Sequence, residues 1–199
     1  MRLDSLQARQ RLIVRQKVTF AINRYLVSAA NPDGSEGDLV AFAEQKRIAL
    51  KEQVAIYTDQ TKSELVCSFK ARSVLDLGAT YDVTAADGSP IGLFRKDFGA
   101  SLLRSTWIVD QLGHPEVVGQ ERNPIVAVVR RVWDFLPFVN AVPFAWPYHF
   151  DFTAADRPVL SVTKKIGLRD RYLVDLPAPW LDRRLAIAMT VALDALQSR

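Results

Sequence analysis

A hairpin-like unit recurs about every 25 residues along this chain, and a short apolar helix pattern follows the last one. Aligned on one another, the units are Tyr25–Arg47, Ile56–Arg72, Tyr81–Lys96, Trp107–Arg122 and His149–Lys165. Each opens with an alternating strand such as TYDVTA or YHFDFT. A polar turn follows, then a second strand that ends in Lys or Arg: FAEQKR, SFKAR, LFRKD, GQER, VTKK. Repetition at this scale constrains the fold before any single residue does.

The strand assignments rest on period-2 alternation and turn chemistry. Tyr81, Val83 and Ala85 share one face, while Asp82 and Thr84 share the other. Asp87-Gly88 supplies a turn able to take positive φ. Gly113-His114-Pro115 and Asp156-Arg157-Pro158 punctuate later hairpins, and NPDGSEGD at 31–38 is read as the longest turn. RLIVRQ at 11–16 adds a strand before the hairpins, and RYLVDL at 171–176 adds one after them. The count reaches about twelve, even and sequential.

A sheet of that length curls or closes, because open edges invite aggregation. About eight strands can be filled by their own side chains; a wider barrel leaves a lumen. The segment Trp180–Ser198 offers the filler. It follows Pro177 and Pro179, and LAIAMTVALDAL is apolar nearly all round, as a buried helix is. The other reading is an amphipathic helix outside a sandwich, with Arg183, Thr190, Asp194 and Gln197 as its polar stripe. A threaded helix would bury Asp194, which then needs an arginine or a set of hydroxyls. The fold expected is mainly β. It is a closed antiparallel barrel of about twelve strands built from sequential hairpins, with a central apolar C-terminal helix. One short inserted helix begins at Asn123-Pro124, where the hairpin period lapses. A chain of 199 residues suffices for one core, so a single domain over 1–199 is expected.

The chained hairpins, YDVTAADGSPIGLFRKDF above all, and the closing LDRRLAIAMTVALDALQSR resemble the tubby C-terminal-like superfamily. That superfamily includes the plant LURP-one-related proteins and the phospholipid scramblases. The resemblance covers nearly the whole chain and implies a twelve-stranded barrel around a central C-terminal helix. It also implies dealings with lipid, since tubby-like members bind phosphoinositide headgroups and scramblases are linked to lipid movement. No stretch matches the tubby phosphoinositide motif or the scramblase calcium segment, so neither activity carries over to particular residues.

A meander puts all hairpin turns at one end of the barrel and all return connections at the other. The turn end would carry Asp33, Glu36, Asp38, Asp59, Glu64, Asp87, Glu116 and Asp156. The return end would collect the cations, so a net charge of only +4 becomes polarised. The candidate ligand-binding residues are Lys46, Arg47, Lys70, Arg72, Arg95, Lys96, Arg104, Lys164 and Lys165. Arg15, Lys17, Arg24 and Arg171 fall at the same end. Such clusters attract phosphates and anionic membranes. The plainer account is that strand-end Lys and Arg block edges and keep the barrel soluble, with acids neutralising them. Seven aromatics lie between Trp133 and Phe150. Of these, Trp133, Phe138, Phe144 and Trp146 are candidate membrane or partner contacts, or else plug a barrel mouth.

Signals for catalysis are poor. His114 and His149 do not make a metal site, and Cys67 sits mid-strand as buried thiols do. No G-x-S-x-G, Walker or G-x-G-x-x-G pattern occurs. No cofactor, metal or enzymatic activity is expected. Neither is a nucleic-acid partner, a signal peptide or a membrane-spanning segment. Two readings remain. One is a monomeric, cytoplasmic module for anionic lipid headgroups or phosphate-bearing ligands, peripheral to the inner membrane face. The alternative is a soluble adaptor barrel that binds a protein partner through its basic end or aromatic segment.

Overall fold

The computed structural model describes residues 3–18, 22–46, 53–72, 80–97, 99, 105–123, 149–165 and 170–197. Twelve antiparallel strands close into a barrel in chain order, β12 pairing back onto β1. They are β1 (Arg11–Val18), β2 (Ile22–Ala30), β3 (Glu36–Lys46), β4 (Val54–Tyr57), β5 (Leu65–Ala71) and β6 (Thr80–Ala85). The circuit continues through β7 (Pro90–Asp97), β8 (Thr106–Gln111), β9 (Val117–Glu121), β10 (His149–Ala154), β11 (Arg157–Lys165) and β12 (Arg171–Asp175). Each expected hairpin is present: β2–β3, β4–β5, β6–β7, β8–β9 and β10–β11. The expected helix after Asn123-Pro124 lies outside the described residues.

Three of the hairpin turns share one device. Asp33, Asp59 and Asp87 each accept, on one carboxylate oxygen, the backbone N–H and the hydroxyl of the residue two places on. The distances are 2.8 and 2.6 Å for Ser35, 2.7 and 2.5 Å for Thr61, and 2.9 and 2.6 Å for Ser89. These bonds fasten the chain locally and hold all three carboxyls below their ordinary pKa. Turn-end acids are thereby committed to turns. Gly34 and Gly88 take the positive φ that these loops need. The first turn is shorter than NPDGSEGD suggested, because Glu36-Gly37-Asp38 already belong to β3.

Inward residues of the strands meet α2 (Arg183–Gln197), which runs through the lumen. Leu185 through Leu193 are each 1% exposed or less, so no face of this stretch meets water. Alanines at 186, 188, 192 and 195 keep the helix thin. The wall yields as well. A Cβ on Gly119 would stand 2.1 Å from the Phe152 ring, and one on Gly92 would crowd the Asp110 carbonyl and Leu185. The supposed polar stripe is absorbed internally. Thr190 donates to the Ala186 carbonyl at 2.8 Å, and Asp194 is 1% exposed inside the barrel.

The helix begins later than Trp180 because residues 176–181 wrap a buried guanidinium. Arg183 is 2% exposed and donates only to carbonyls: Arg9 at 2.8 Å, Ala178 at 3.0 Å, Pro179 at 3.2 Å, Leu181 at 2.6 Å and Leu176 at 3.4 Å. Asp182 is the N-cap, accepting the Arg184 amide at 2.8 Å. A five-residue helix the sequence reading did not assign, α1 (Leu3–Gln7), closes this end. Its Leu6 is fully buried in the core. Gln7 donates to Asp182 at 2.7 Å and accepts the Arg183 amide at 3.0 Å.

Ala188→Leu should therefore lower stability by roughly 1–3 kcal/mol through overpacking. Urea denaturation checks it. A wild-type midpoint would contradict a helix packed on every side.

Candidate functional site

Alternation decides what each strand-end cation can do. Lys96 pairs with Trp107, and Lys164 pairs with Tyr172. Both partners are core residues, so Lys96 and Lys164 belong to the inner face of the wall. Arg95 and Lys165, one residue along, belong to the outer face. Each LFRKD- or VTKK-type ending thus divides its charges between two surfaces.

Several outer cations already have carboxylates. Arg72 makes a two-pronged bond to Asp82, with contacts of 2.6 and 3.0 Å. Arg95 lies 3.9 Å from Glu116. On the inner face Lys164 is 2.9 Å from Asp170. Lys70 and Lys165 make no ion pair among the described residues. The backbone of Lys46 ends β3 at the return end. Arg47, Arg104, Trp133, Phe138, Phe144 and Trp146 lie outside the described residues. Among the described residues these cations do not form one continuous ring of free charge; Asp82, Glu116 and Asp170 interrupt it.

A second group is denser. Arg15, Arg171 and Lys165 stand abreast on the outer face of β1, β12 and β11, as direct cross-strand partners. One pair along, Lys17 stands opposite Arg24 on β2. Like charges directly opposite each other destabilise a sheet. Relief comes from an unexpected direction. Two register shifts interrupt β2–β3, between Val27 and Ser28 and between Ser28 and Ala30. Bulges of this kind bend a hairpin. Its tip reaches the outer wall, where the Gly34 carbonyl accepts from Arg171 at 3.1 Å. Glu36 lies 3.6 Å from both Arg15 and Arg171. Glu36, expected among the turn-end acids, therefore sits among the cations instead.

Glu44 does the same for Arg24, at 2.8 Å, and also accepts from Lys62 of the β4–β5 loop. The Lys62 bond, against a smaller opposing effect of burial, holds the Glu44 carboxyl low. Of the six cations Arg15, Lys17, Arg24, Lys62, Lys165 and Arg171, Glu36 holds Arg15 and Arg171, and Glu44 holds Arg24 and Lys62. Lys17 and Lys165 have no ion pair among the described residues.

A family model for LURP-one-related proteins matches residues 39–194. This chain belongs to the LURP-one-related family. That membership places it within the tubby-like superfamily its hairpins resemble. No curated protein matches the chain.

Inside this LURP-one-related barrel, the buried charge foreseen at Asp194 is met by hydroxyls. Tyr25 of β2 donates to its carboxylate at 2.8 Å, and Tyr172 of β12 donates to the other oxygen. Gln16 and Gln45 lie 3.5 Å from the Tyr25 hydroxyl. Burial pushes the Asp194 carboxyl above its ordinary pKa, while the tyrosine hydroxyls and then Lys164 pull the other way.

The other reactive groups of the sequence are occupied structurally. Burial raises the Cys67 thiol to about 12, which leaves it un-ionised at neutral pH. His114 stacks on Trp180, ring centroids 4.7 Å apart. Burial, then Arg122, lowers the pKa of His149. Among the described residues, no group of three His, Cys, Asp or Glu is placed to hold a metal. Nor is any helix among them long and apolar enough to cross a membrane.

Asp194→Asn keeps an acceptor for the tyrosines and removes the titration. With a folded pKa raised above the unfolded one, the unfolded chain ionises first. Wild type therefore loses stability relative to the variant as pH climbs from about 4, the unfolded carboxyl's range, through the folded value. Urea midpoints at about pH 4 and about pH 8 measure the difference. It should move in the variant's favour at the higher pH; a constant difference would contradict a raised Asp194.

Proposed function

We propose that this protein is a non-enzymatic binding module for anionic lipid headgroups or related phosphate-bearing ligands. The contact surface in this reading is the outer wall of β11, β12, β1 and β2 at the return end. One observation carries it. Like charges stand directly opposite each other across three strands, and two carboxylates hold only four of the six cations there. A merely soluble wall has no need of an arrangement that costs stability. A phosphate surface, by contrast, relieves the repulsion and gains from each added cation.

Of the strand-end candidates, Lys165 belongs to this wall. Lys46, Arg47, Lys70, Arg72, Arg95, Lys96, Arg104 and Lys164 would extend it around the same end. Trp133, Phe138, Phe144 and Trp146 would add interfacial contacts. In this reading the protein acts as a cytoplasmic monomer, peripheral to the inner membrane face. The lipid chemistry linked to the tubby-like superfamily supports it.

Flotation with phosphatidylserine-containing and pure phosphatidylcholine vesicles is the test. Binding should favour the anionic vesicles and fall between about 0.1 M and about 1 M salt, as the Debye length shrinks from about 10 Å to about 3 Å. Lys17→Ser with Lys165→Ser should remove about 2 kcal/mol of attraction, roughly thirtyfold in affinity. Neither residue has an ion pair to lose among the described residues, so the melting temperature should hardly change. If wild type ignores anionic vesicles at low salt, the proposal fails and an adaptor that binds a protein partner takes its place.

A further inference from the structure

At the turn end, away from the cationic wall, the sheet has a seam. β11 pairs with β12 only through Ser161–Lys165, although the strand itself starts at Arg157. Past Asp175 the chain follows β1 instead, the Leu176 amide donating to the Gln10 carbonyl at 2.8 Å. Residues 157–160 are left without a strand partner on that side, and Pro158 has no N–H to offer one. A cavity of about 690 Å³ opens along the seam, a size that suits a small molecule. Pro32, Pro158 and Pro177 give it an exposed apolar lining, over a floor of the buried core side chains Phe152, Leu160 and Leu176.

The charges of the lining pair off, with one exception. Arg11 holds Asp175 at 2.6 Å. Asp151 is held by both prongs of Arg122, at 2.6 and 2.7 Å, and by Ser161 at 3.1 Å. Arg9 also lines the cavity, and its side chain makes no hydrogen bond or ion pair among the described residues. Its Nε is buried without a partner. This is no loose terminal arginine, because its backbone is pinned on both sides. The Arg9 amide donates to the Leu6 carbonyl at 3.0 Å, and its own carbonyl accepts from Arg183 at 2.8 Å.

We propose that the seam between β11 and β12 binds a small apolar carboxylate, its acid group on Arg9 and its hydrocarbon body against Pro32, Pro158 and Pro177. The planar guanidinium fork matches a carboxylate. One unpaired cation beside two carboxylates suits a single negative charge better than a doubly charged phosphate. The site lies apart from the cationic wall and does not rest on the membrane reading.

Phenylbutyrate and its uncharged analogue phenylbutanol are the probes, titrated into the full chain and followed by amide chemical shifts. Phenylbutyrate should bind saturably and move the amides of Arg157, Val159, Leu160 and Leu176. Phenylbutanol should bind at least about tenfold more weakly, and so should phenylbutyrate to Arg9→Gln. Arg9→Lys should recover part of the loss. Thr153→Trp, which fills the cavity without touching Arg9, should block binding and serves if Arg9→Gln fails to fold. No saturable binding, equal binding of acid and alcohol, or wild-type binding by Thr153→Trp would each overturn the proposal.

Discussion

The packing of α2 against twelve strands is the constraint on which the rest of the structure depends. A sheet of that width cannot fill its own interior. The helix solves the volume problem only if it is thin, apolar on every side and held along the axis. The alanines at 186, 188, 192 and 195 meet the first condition. The wall helps where it omits side chains, at Gly119 opposite Phe152 and at Gly92 beside Leu185. Axial placement comes from polar anchors at the two ends. Arg183 gathers five carbonyls at one end, and Asp194 receives two tyrosine hydroxyls toward the other. These buried polar groups fix register, since sliding the helix would strand a guanidinium or a carboxylate without partners.

The ends of the barrel then diverge. The turn end is committed to self-fastening. Its aspartates clamp turns, α1 inserts Leu6, and Gln7 and Gln111 secure the helix start. The return end carries strand termini rich in Lys and Arg. On one wall the bent β2–β3 hairpin lays Glu36 between two arginines, while Lys17 and Lys165 have no carboxylate among the described residues. Charge polarity along the barrel axis is thus a consequence of topology, its focus on one wall a consequence of cross-strand register, and its partial relief by Glu36 a consequence of two bulges.

Much of this was legible in the sequence, for physical reasons. Alternation in TYDVTA and HFDFT survives because each strand has one buried face, and an apolar run such as LAIAMTVAL has no exposed face to decorate. Pairing was not legible. Arg72 meets Asp82 and Arg122 meets Asp151 through cross-strand register, which strand-end composition does not carry. Nor could the reading tell that Lys96 and Lys164 face inward while Arg95 and Lys165 face outward, because that depends on where each strand enters the sheet. The short α1 gave only Leu6 as a core signal. The role of Glu36 depended on bulges that no turn residue announces. For Asp194 the sequence required a partner, and Tyr25 and Tyr172 emerged only once β2 and β12 were placed on either side of β1.

Native-state hydrogen exchange across α2 tests the threaded-helix account most directly. If the helix fills the lumen, the amides of residues 187–195 can open only when the barrel opens. They should exchange as slowly as the slowest strand amides, with opening free energies equal to that of global unfolding. Exchange of these helix amides well ahead of the strands, from a barrel still closed, would contradict it.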